Sequence, residues 1–388
     1  MNNEDKLVTL IPLVEIEESA QQQIQDVLNQ SFLIKLAVMP DVHAGYHMPI
    51  GGVALLDNVI SPSFTGYDIG CGISHIRTHL KIEDLDDLQE LYVKIKDTIP
   101  NGEGQEQKVY MEYPDFPNAS NNIDLFQKVQ AKLHTQLSSM GGGNHFLELG
   151  TNPDGFVCVT IHSGSRNPGH SVGGYYMKLA KTNDTDLPEG FFHLNSELGQ
   201  AYLTDMNFML DFALANRKMM MEQILMLMGT SSFGVGVYIN NDMINENHNH
   251  AIVNPDGTVL HRKGATSADK GQFGVIPGNM RDGVYVTIGL GNEEYLSSAS
   301  HGAGRTMSRK KARESIELDT FKTQMEGIVS GVEESILDEA PDAYKNIDHV
   351  IKLQEGIVID VLYKTKPILN VKGSGSTRPW DKKGVKRT

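Results

Sequence analysis

The chain has 388 residues, 39% hydrophobic and 21% charged, with a net charge of -15 and two cysteines, Cys71 and Cys158. This composition predicts a sizeable globular core, and its acidic balance excludes holding nucleic acid through overall charge, so any polyanion must be gripped by a local basic cluster. Two cysteines make no disulfide framework, no apolar run reaches the roughly 20 residues of a membrane span, and no basic-then-apolar leader opens the chain; a cytoplasmic protein is expected.

In chain order, amphipathic periodicity predicts helices over residues 18–37 and 82–99. Between them, "GGVALLDNVISPSFTGYDIGCGISHIRTHL" alternates apolar runs with Gly and Pro, the pattern of short strands and tight loops. "GFVCVTIHSGSR" reads as a buried strand opening into a glycine-serine turn, and residues 196–228 give the longest helical pattern. The methionines of that helix, among them Met206, Met209, Met219 and Met226, read as core filler. "SFGVGVYIN" and "GVYVTIGLG" are strand candidates, a charged helix is expected over about 305–338, and "VIDVLYKTKPILNVKG" supplies closing strands. The end, "SGSTRPWDKKGVKRT", is polar and basic and is expected to be flexible.

Chemistry-bearing residues concentrate at glycine-flanked turns and strand ends. In "GYDIGCG", Asp68 and Cys71 sit three apart, where a carboxylate and a thiolate can converge on one cation. His145 follows the glycine run of "GGGNHFLELG", His162 ends the apolar run "FVCVTI", and His248 lies in "NENHNHAI". Singly these read as a buried thiol, satisfied histidines and a polar loop; together they suffice for two metal ions with a bridging thiolate. Ligand softness alone points to zinc or iron. His43 and His47 have the i, i+4 spacing of a zinc helix, but Gly45 and Pro49 argue against a helix there, so that pair is discounted. Four clusters flanked by Gly or Ser offer to hold phosphate: Arg166 in "HSGSRNPG", His261, Arg262 and Lys263 in "HRKGATSA", His301 and Arg305 in "HGAGR", and Lys372 in "KGSGS". Small residues around His301 let a large group approach its ring.

"MPDVHAGYHMPIGG", "GYDIGCG", "GGGNHFLELG", "IHSGSR", "HRKGAT", "SSASHGAGRTMSR" and "KPILNVKG" resemble, in order, the motifs of the RtcB RNA ligase family, over roughly residues 39 to 373. The resemblance implies a GTP- and manganese-dependent ligase. Such an enzyme joins RNA bearing a 2′,3′-cyclic phosphate or 3′-phosphate to RNA with a 5′-hydroxyl. By motif position His301 is the residue that is guanylylated, and GMP then passes to the RNA 3′-phosphate before the 5′-hydroxyl expels it. Asp68, Cys71 and His145 match the ligands of one manganese; Cys71, His162 and His248 match those of the other. For the nucleotide, similarity implies Asn144 near the phosphate, Glu148 accepting from guanine N–H groups, Tyr344 stacking on the base, Lys372 reaching the nucleotide, and Asn279 nearby. Asp41 falls within the site, and Arg166, Arg305 and Arg309 are expected to hold RNA phosphates, Arg305 acting also on the transferring group.

Because these motifs span residues 41 to 372 and must meet at one site, one α+β domain of mixed sheets and flanking helices is expected over residues 1–373, with 374–388 as a tail. Departures from the family pattern are Ala44 where Pro is usual, His47 where a small residue is usual, and Asn279 and Arg281 in "PGNMRDG". Asn167 and Pro168 after "HSGSR" and the added tail are others, and together they point to a diverged paralogue dedicated to RNA repair rather than tRNA splicing. The alternatives are a dimetal RNA 3′-end processing enzyme or phosphoesterase that does not join ends, and a non-catalytic RNA-binding descendant. The last conflicts with the presence of every expected metal ligand and the nucleophile. An accessory activating protein is left open.

Overall fold

The computed structural model describes residues 3–182, 186–229 and 243–373. Two large sheets dominate. One runs, in spatial order, Leu7–Thr9, Leu33–Tyr46, Met48–Asp57, Thr258–Lys263 and Asn249–Val253. The other runs Val329–Ser330, Lys366–Lys372, Phe146–Thr151, Phe156–Ser163, Gly72–Lys81 and Ile244–Asn247. Each carries one parallel edge pair on otherwise antiparallel pairing, so both are mixed, as expected of an α+β chain.

The helix Glu197–Leu227 links two cores. Its first half packs Met206, Met209 and Phe212 against Val129, Leu133, Val172 and Tyr176. Its second half packs Met220, Met221 and Ile224 against Leu147, Val159 and Ile161 of the second sheet. Met206 and Met209 are therefore core filler, whereas Met226 is 59% exposed.

Several predicted elements change. The helix expected over 18–37 ends at Leu28, and Leu33–Tyr46 is a strand; its β-branched and apolar residues are buried on both faces, which hides the alternation that marks a strand. The pattern over 82–99 resolves into a 3-10 turn, Ile82–Asp84, and a helix, Leu88–Thr98, begun by the Asp87 side chain accepting from the Glu90 N–H. The charged stretch 305–338 is not one helix: Arg309–Ser315 and Leu318–Gln324 are short helices, and the rest is extended or 3-10. Ser308 caps the first of them. The helices Ile123–Gln136 and Arg166–Thr182 carry little sequence signal, the second because glycines interrupt it. The strand candidate "SFGVGVYIN" and the tail 374–388 lie outside the described residues. "GVYVTIGLG" and the closing strands form as Val284–Gly289, Ile359–Lys364 and Lys366–Lys372.

Candidate active site

Three adjacent strands of the second sheet and the loop before its strand Gly72–Lys81 bring the predicted ligands together. Asp68 and Cys71 lie in the loop between the short helix Pro62–Thr65 and that strand, His162 ends Phe156–Ser163, and His145 immediately precedes Phe146–Thr151. His248 sits between Asn247 and Asn249, its backbone N–H donating to the Cys71 carbonyl at 2.7 Å. Two donor trios result, Asp68–Cys71–His145 and Cys71–His162–His248, each with its ligand atoms within 4.8 Å of one another, and Cys71 belongs to both. His145 Nε2 is 3.0 Å from Asp68 Oδ2 and 3.5 Å from Cys71 Sγ; His162 Nε2 is 3.2 Å from that sulfur and 3.3 Å from His248 Nε2.

The surrounding groups fit metal ions. His145 Nδ1 donates to the Met140 carbonyl at 2.9 Å and His162 Nδ1 to the Asn144 carbonyl at 3.1 Å, which directs both Nε2 lone pairs into the trios. Burial and neighbouring imidazoles hold His162 and His248 well below the usual histidine range, in the neutral form a metal requires. Burial pushes the Asp68 carboxyl up, but the adjoining His145 ring and the nearby Arg166 charge outweigh it and leave it lowered to about 2. Burial and the Asp68 carboxylate push the Cys71 thiol well up, so a cation is needed to hold it as thiolate.

His301 follows the strand Ser298–Ser300, which pairs with Ala265–Ser267. Its Nδ1 and its backbone N–H both reach Asp41 Oδ2, at 2.7 and 3.1 Å. Asp41 is fully buried; burial raises its carboxyl, the His301 interaction lowers it further, and the net shift is downward, so the group stays ionised. Lys345 holds the Asp41 strand by donating to the carbonyls of Pro40 and Val42 at 3.2 and 2.6 Å. With Nδ1 committed, Nε2 is the ring nitrogen left for bond formation. The His301 ring lies 4.7 Å, centroid to centroid, from that of His248. Gly264 makes this possible: a Cβ there would come within 3.0 Å of the His301 ring and 2.3 Å of Ile50.

A cavity of about 590 Å³ opens beside the ring, and Asn144, Glu148, His162, Asn279, Tyr344 and Lys372 are among its lining residues. Its volume suits a nucleotide. Glu148 is 2% exposed; one carboxylate oxygen accepts from Asn370 Nδ2 at 3.1 Å, the other has no partner, and burial pushes the group up to about 8. Glu339, missed in the sequence, gathers three of the cavity's cations. It pairs with Lys372 at 2.7 Å, with Arg305 at 3.3 Å and with Arg309, and it accepts from the Tyr344 hydroxyl. Burial raises its carboxyl, and the Lys372, Arg309 and Arg305 charges more than offset this. The Arg305 guanidinium also lies 5.1 Å from the Tyr344 ring centroid. Asn279 lines the cavity while its side chain ties the turn to Asp282, whose carboxylate also pairs with Arg281.

The other expected phosphate clusters behave differently. Arg166 is not among the cavity-lining residues; its guanidinium is 3.4 Å from His145 Nδ1 and 3.3 Å from Ser139 Oγ, behind the first trio. His261, Arg262 and Lys263 are buried in the first sheet, with Arg262 donating to Ser298 Oγ at 2.9 Å and Lys263 to the Ser63 carbonyl at 2.9 Å, so this tripeptide is structural. His43 and His47 do not form a pair on a helix: His43 is in a strand, its Nδ1 on the Asp41 carbonyl, and His47 has φ 64 at a hairpin apex. A second missed residue, Arg217, is fully buried on the long helix. It donates to the carbonyls of Gly70 and Ser163, each at 2.9 Å, and to the side chains of Asn245 and Asn247, each at 2.7 Å. Those groups adjoin Cys71, His162 and His248. A lone arginine in a methionine-rich helix was its only sequence signal.

A family model described as tRNA-splicing ligase RtcB matches residues 23–119 and 118–373. The RNA-splicing ligase RtcB of Escherichia coli K12 is 32% identical over 93% of this chain and 95% of its own length. The tRNA-splicing ligases RtcB of Pyrobaculum aerophilum and Thermococcus kodakarensis are 32% and 30% identical, each over 87% of both chains. With matches of that extent over a chain whose two donor trios and His301–Asp41 pair fall on the matched residues, the chain belongs to the RtcB family of RNA-splicing ligases.

Proposed function

We propose that the chain joins RNA ends bearing a 2′,3′-cyclic phosphate or 3′-phosphate to 5′-hydroxyl ends, using GTP and two manganese ions, through a covalent His301–GMP intermediate. The observation that carries this reading is the His301 ring: Nδ1 is held by a buried carboxylate, and the ring stands between a metal ligand and a nucleotide-sized cavity. Nε2 attacks the α-phosphorus of GTP, a phosphorus–nitrogen bond forms, and pyrophosphate leaves. A cyclic-phosphate end is first opened by water, which breaks the P–O2′ bond and leaves a 3′-phosphate and a 2′-hydroxyl; an oxygen of the 3′-phosphate then displaces the histidine, and the 5′-hydroxyl oxygen, losing its proton, attacks the 3′-phosphorus and expels GMP. Asp41 fixes the tautomer and stabilises the ring as positive charge develops on it. The unpartnered oxygen of Glu148 accepts from the N1–H and amino group of guanine, donors that adenine does not offer in that pattern. Tyr344 stacks on the base, and Asn144, Asn279 and Lys372 contact the nucleotide. Arg305 acts on the transferring phosphate and Arg309 on RNA phosphates when these displace Glu339, and Arg166 supports His145 from behind. The metals supply charge neutralisation for the phosphoryl groups; manganese rests on the family, since thiolate and imidazole donors alone suit zinc or iron.

Residues 1–373 act as one catalytic unit in this reading, and 374–388 form a basic tail. The enzyme works in the cytoplasm, consistent with two free buried cysteines. A joining assay tests the whole: a 5′-hydroxyl strand and a cyclic-phosphate strand, with GTP and Mn2+, should give one longer product that His301→Ala does not make. GMP on the protein with no joined product would favour an end-processing enzyme.

A further inference from the structure

Resting on that ligase reading, we propose that the surface carrying Tyr46, Tyr67 and His170 is a stacking platform for the single-stranded end of the RNA next to the metal ligands. Four rings form a continuous run there. Tyr46 stacks on His47 with centroids 4.3 Å apart and planes at 26°, Tyr46 lies 6.4 Å from Tyr67, and Tyr67 stacks on His170 at 4.9 Å and 20°. Tyr67 is 45% exposed, a large fraction for an aromatic ring already stacked on a neighbour. The helix Arg166–Thr182 passes close by: a Cβ on Gly173 would come within 3.3 Å of the Tyr67 backbone, and one on Gly174 would be in ordinary contact with the ring at 3.5 Å. Lys181, on the same helix, carries an exposed ammonium 5.5 Å from the Tyr46 centroid, with Glu189 as the acidic group nearby.

Position gives this run its meaning. Tyr67 immediately precedes the metal ligand Asp68. The Tyr46 carbonyl accepts from Lys263, and the next residue, Gly264, lies so near His301 that a Cβ on it would come within 3.0 Å of the ring. The platform therefore leads up to the reacting atoms on the side of Asp68, while the nucleotide cavity lies beside His301 and Glu148. A chain of net charge -15 gains little from general attraction to phosphate. Aromatic faces flanked by one cation bind bases without needing it, and they accept any sequence.

The test uses the full chain with Mn2+ and short fluorescent single-stranded RNAs. One carries a 3′-phosphate and the other a 5′-hydroxyl, and each is made with normal or abasic terminal nucleotides. For the strand that lies on the platform, removing the bases should weaken binding to the unmutated protein by about 5- to 150-fold. Tyr67→Ala and His170→Ala should weaken binding of the normal RNA and lose sensitivity to base removal, while Tyr67→Phe keeps both. Whichever end shows the base dependence identifies the strand. If neither end does, or if the losses from Tyr67→Ala and from base removal simply multiply, the platform is not where the bases sit. GMP transfer to the unmutated protein, measured without RNA, separates this from failure of the ligase reading, because that step needs no platform.

Discussion

Asp41 and Glu148 are both buried carboxylates in one site, and their surroundings drive them in opposite directions. Asp41 stays ionised because His301 donates to it twice; Glu148, with a single amide partner, is pushed up to about 8. Replacing Asp41 by Asn leaves the shape but removes the charge and permits the wrong His301 tautomer. The rate of GMP transfer in Asp41→Asn should fall about 10²- to 10⁴-fold with protein stability nearly kept; an unchanged single-turnover rate would remove Asp41 from the chemistry. For Glu148 the sign follows from its raised value. The folded protein holds this proton more tightly than the unfolded chain, so this group's stabilisation is complete below about 4.5 and is lost as pH rises through about 8. Guanine needs the ionised form, so GTP binding near pH 7 should release up to one proton, visible as a binding enthalpy that depends on the buffer. Glu148→Gln should abolish that release, and it should cost about 5- to 150-fold in GTP affinity because an amide donor faces a base donor. Unchanged GTP-over-ATP preference in that variant would assign base reading elsewhere. Asp41 and Glu148 were legible only through the family resemblance of the segments that carry them, because both lie inside strands, Leu33–Tyr46 and Phe146–Thr151, where neither composition nor spacing marks them. Glu339 was not, since the partners that define it, Arg305, Arg309 and Lys372, lie 30 or more positions away in the chain.

At the scale of elements, the long helix Glu197–Leu227 does more than fill the two cores. Arg217 projects from it to hold the backbone or side chains beside Cys71, His162 and His248, and among the described residues no carboxylate is hydrogen-bonded to its guanidinium. Its removal takes a donor from two buried carbonyls and from two half-buried amide oxygens. Arg217→Met should therefore lower stability by about 3–5 kcal/mol and reduce occupancy of both metal positions, measured by urea unfolding and by metal content. Full metal content in a folded Arg217→Met protein would contradict this anchoring role. The long helix was plain in the sequence because its apolar and polar residues persist over 31 residues. The strand Leu33–Tyr46 was hidden for the opposite reason: it is buried on both faces, so its apolar run resembles a helix continuing from Glu18–Leu28. In 305–338 the charges that suggested one solvated helix instead bind Asp338 and Glu339 across the turn between short helices.

On the scale of the whole molecule, distant segments meet because two mixed sheets deliver their strand ends to one place. Cys71 is the single donor common to both trios, so Cys71→Ala should remove both metals, whereas His248→Ala should weaken mainly one; full manganese content in Cys71→Ala would sink the shared-ligand arrangement. The central claim is that His301 carries GMP. Incubation of the metal-loaded protein with GTP labelled at the α-phosphorus, followed by denaturing electrophoresis, tests it directly. Label is expected on the unmutated chain, lost in acid and retained in base as for a phosphoramidate, and none on His301→Ala. An unlabelled chain with manganese bound and GTP in excess, or label that persists in His301→Ala, would contradict it.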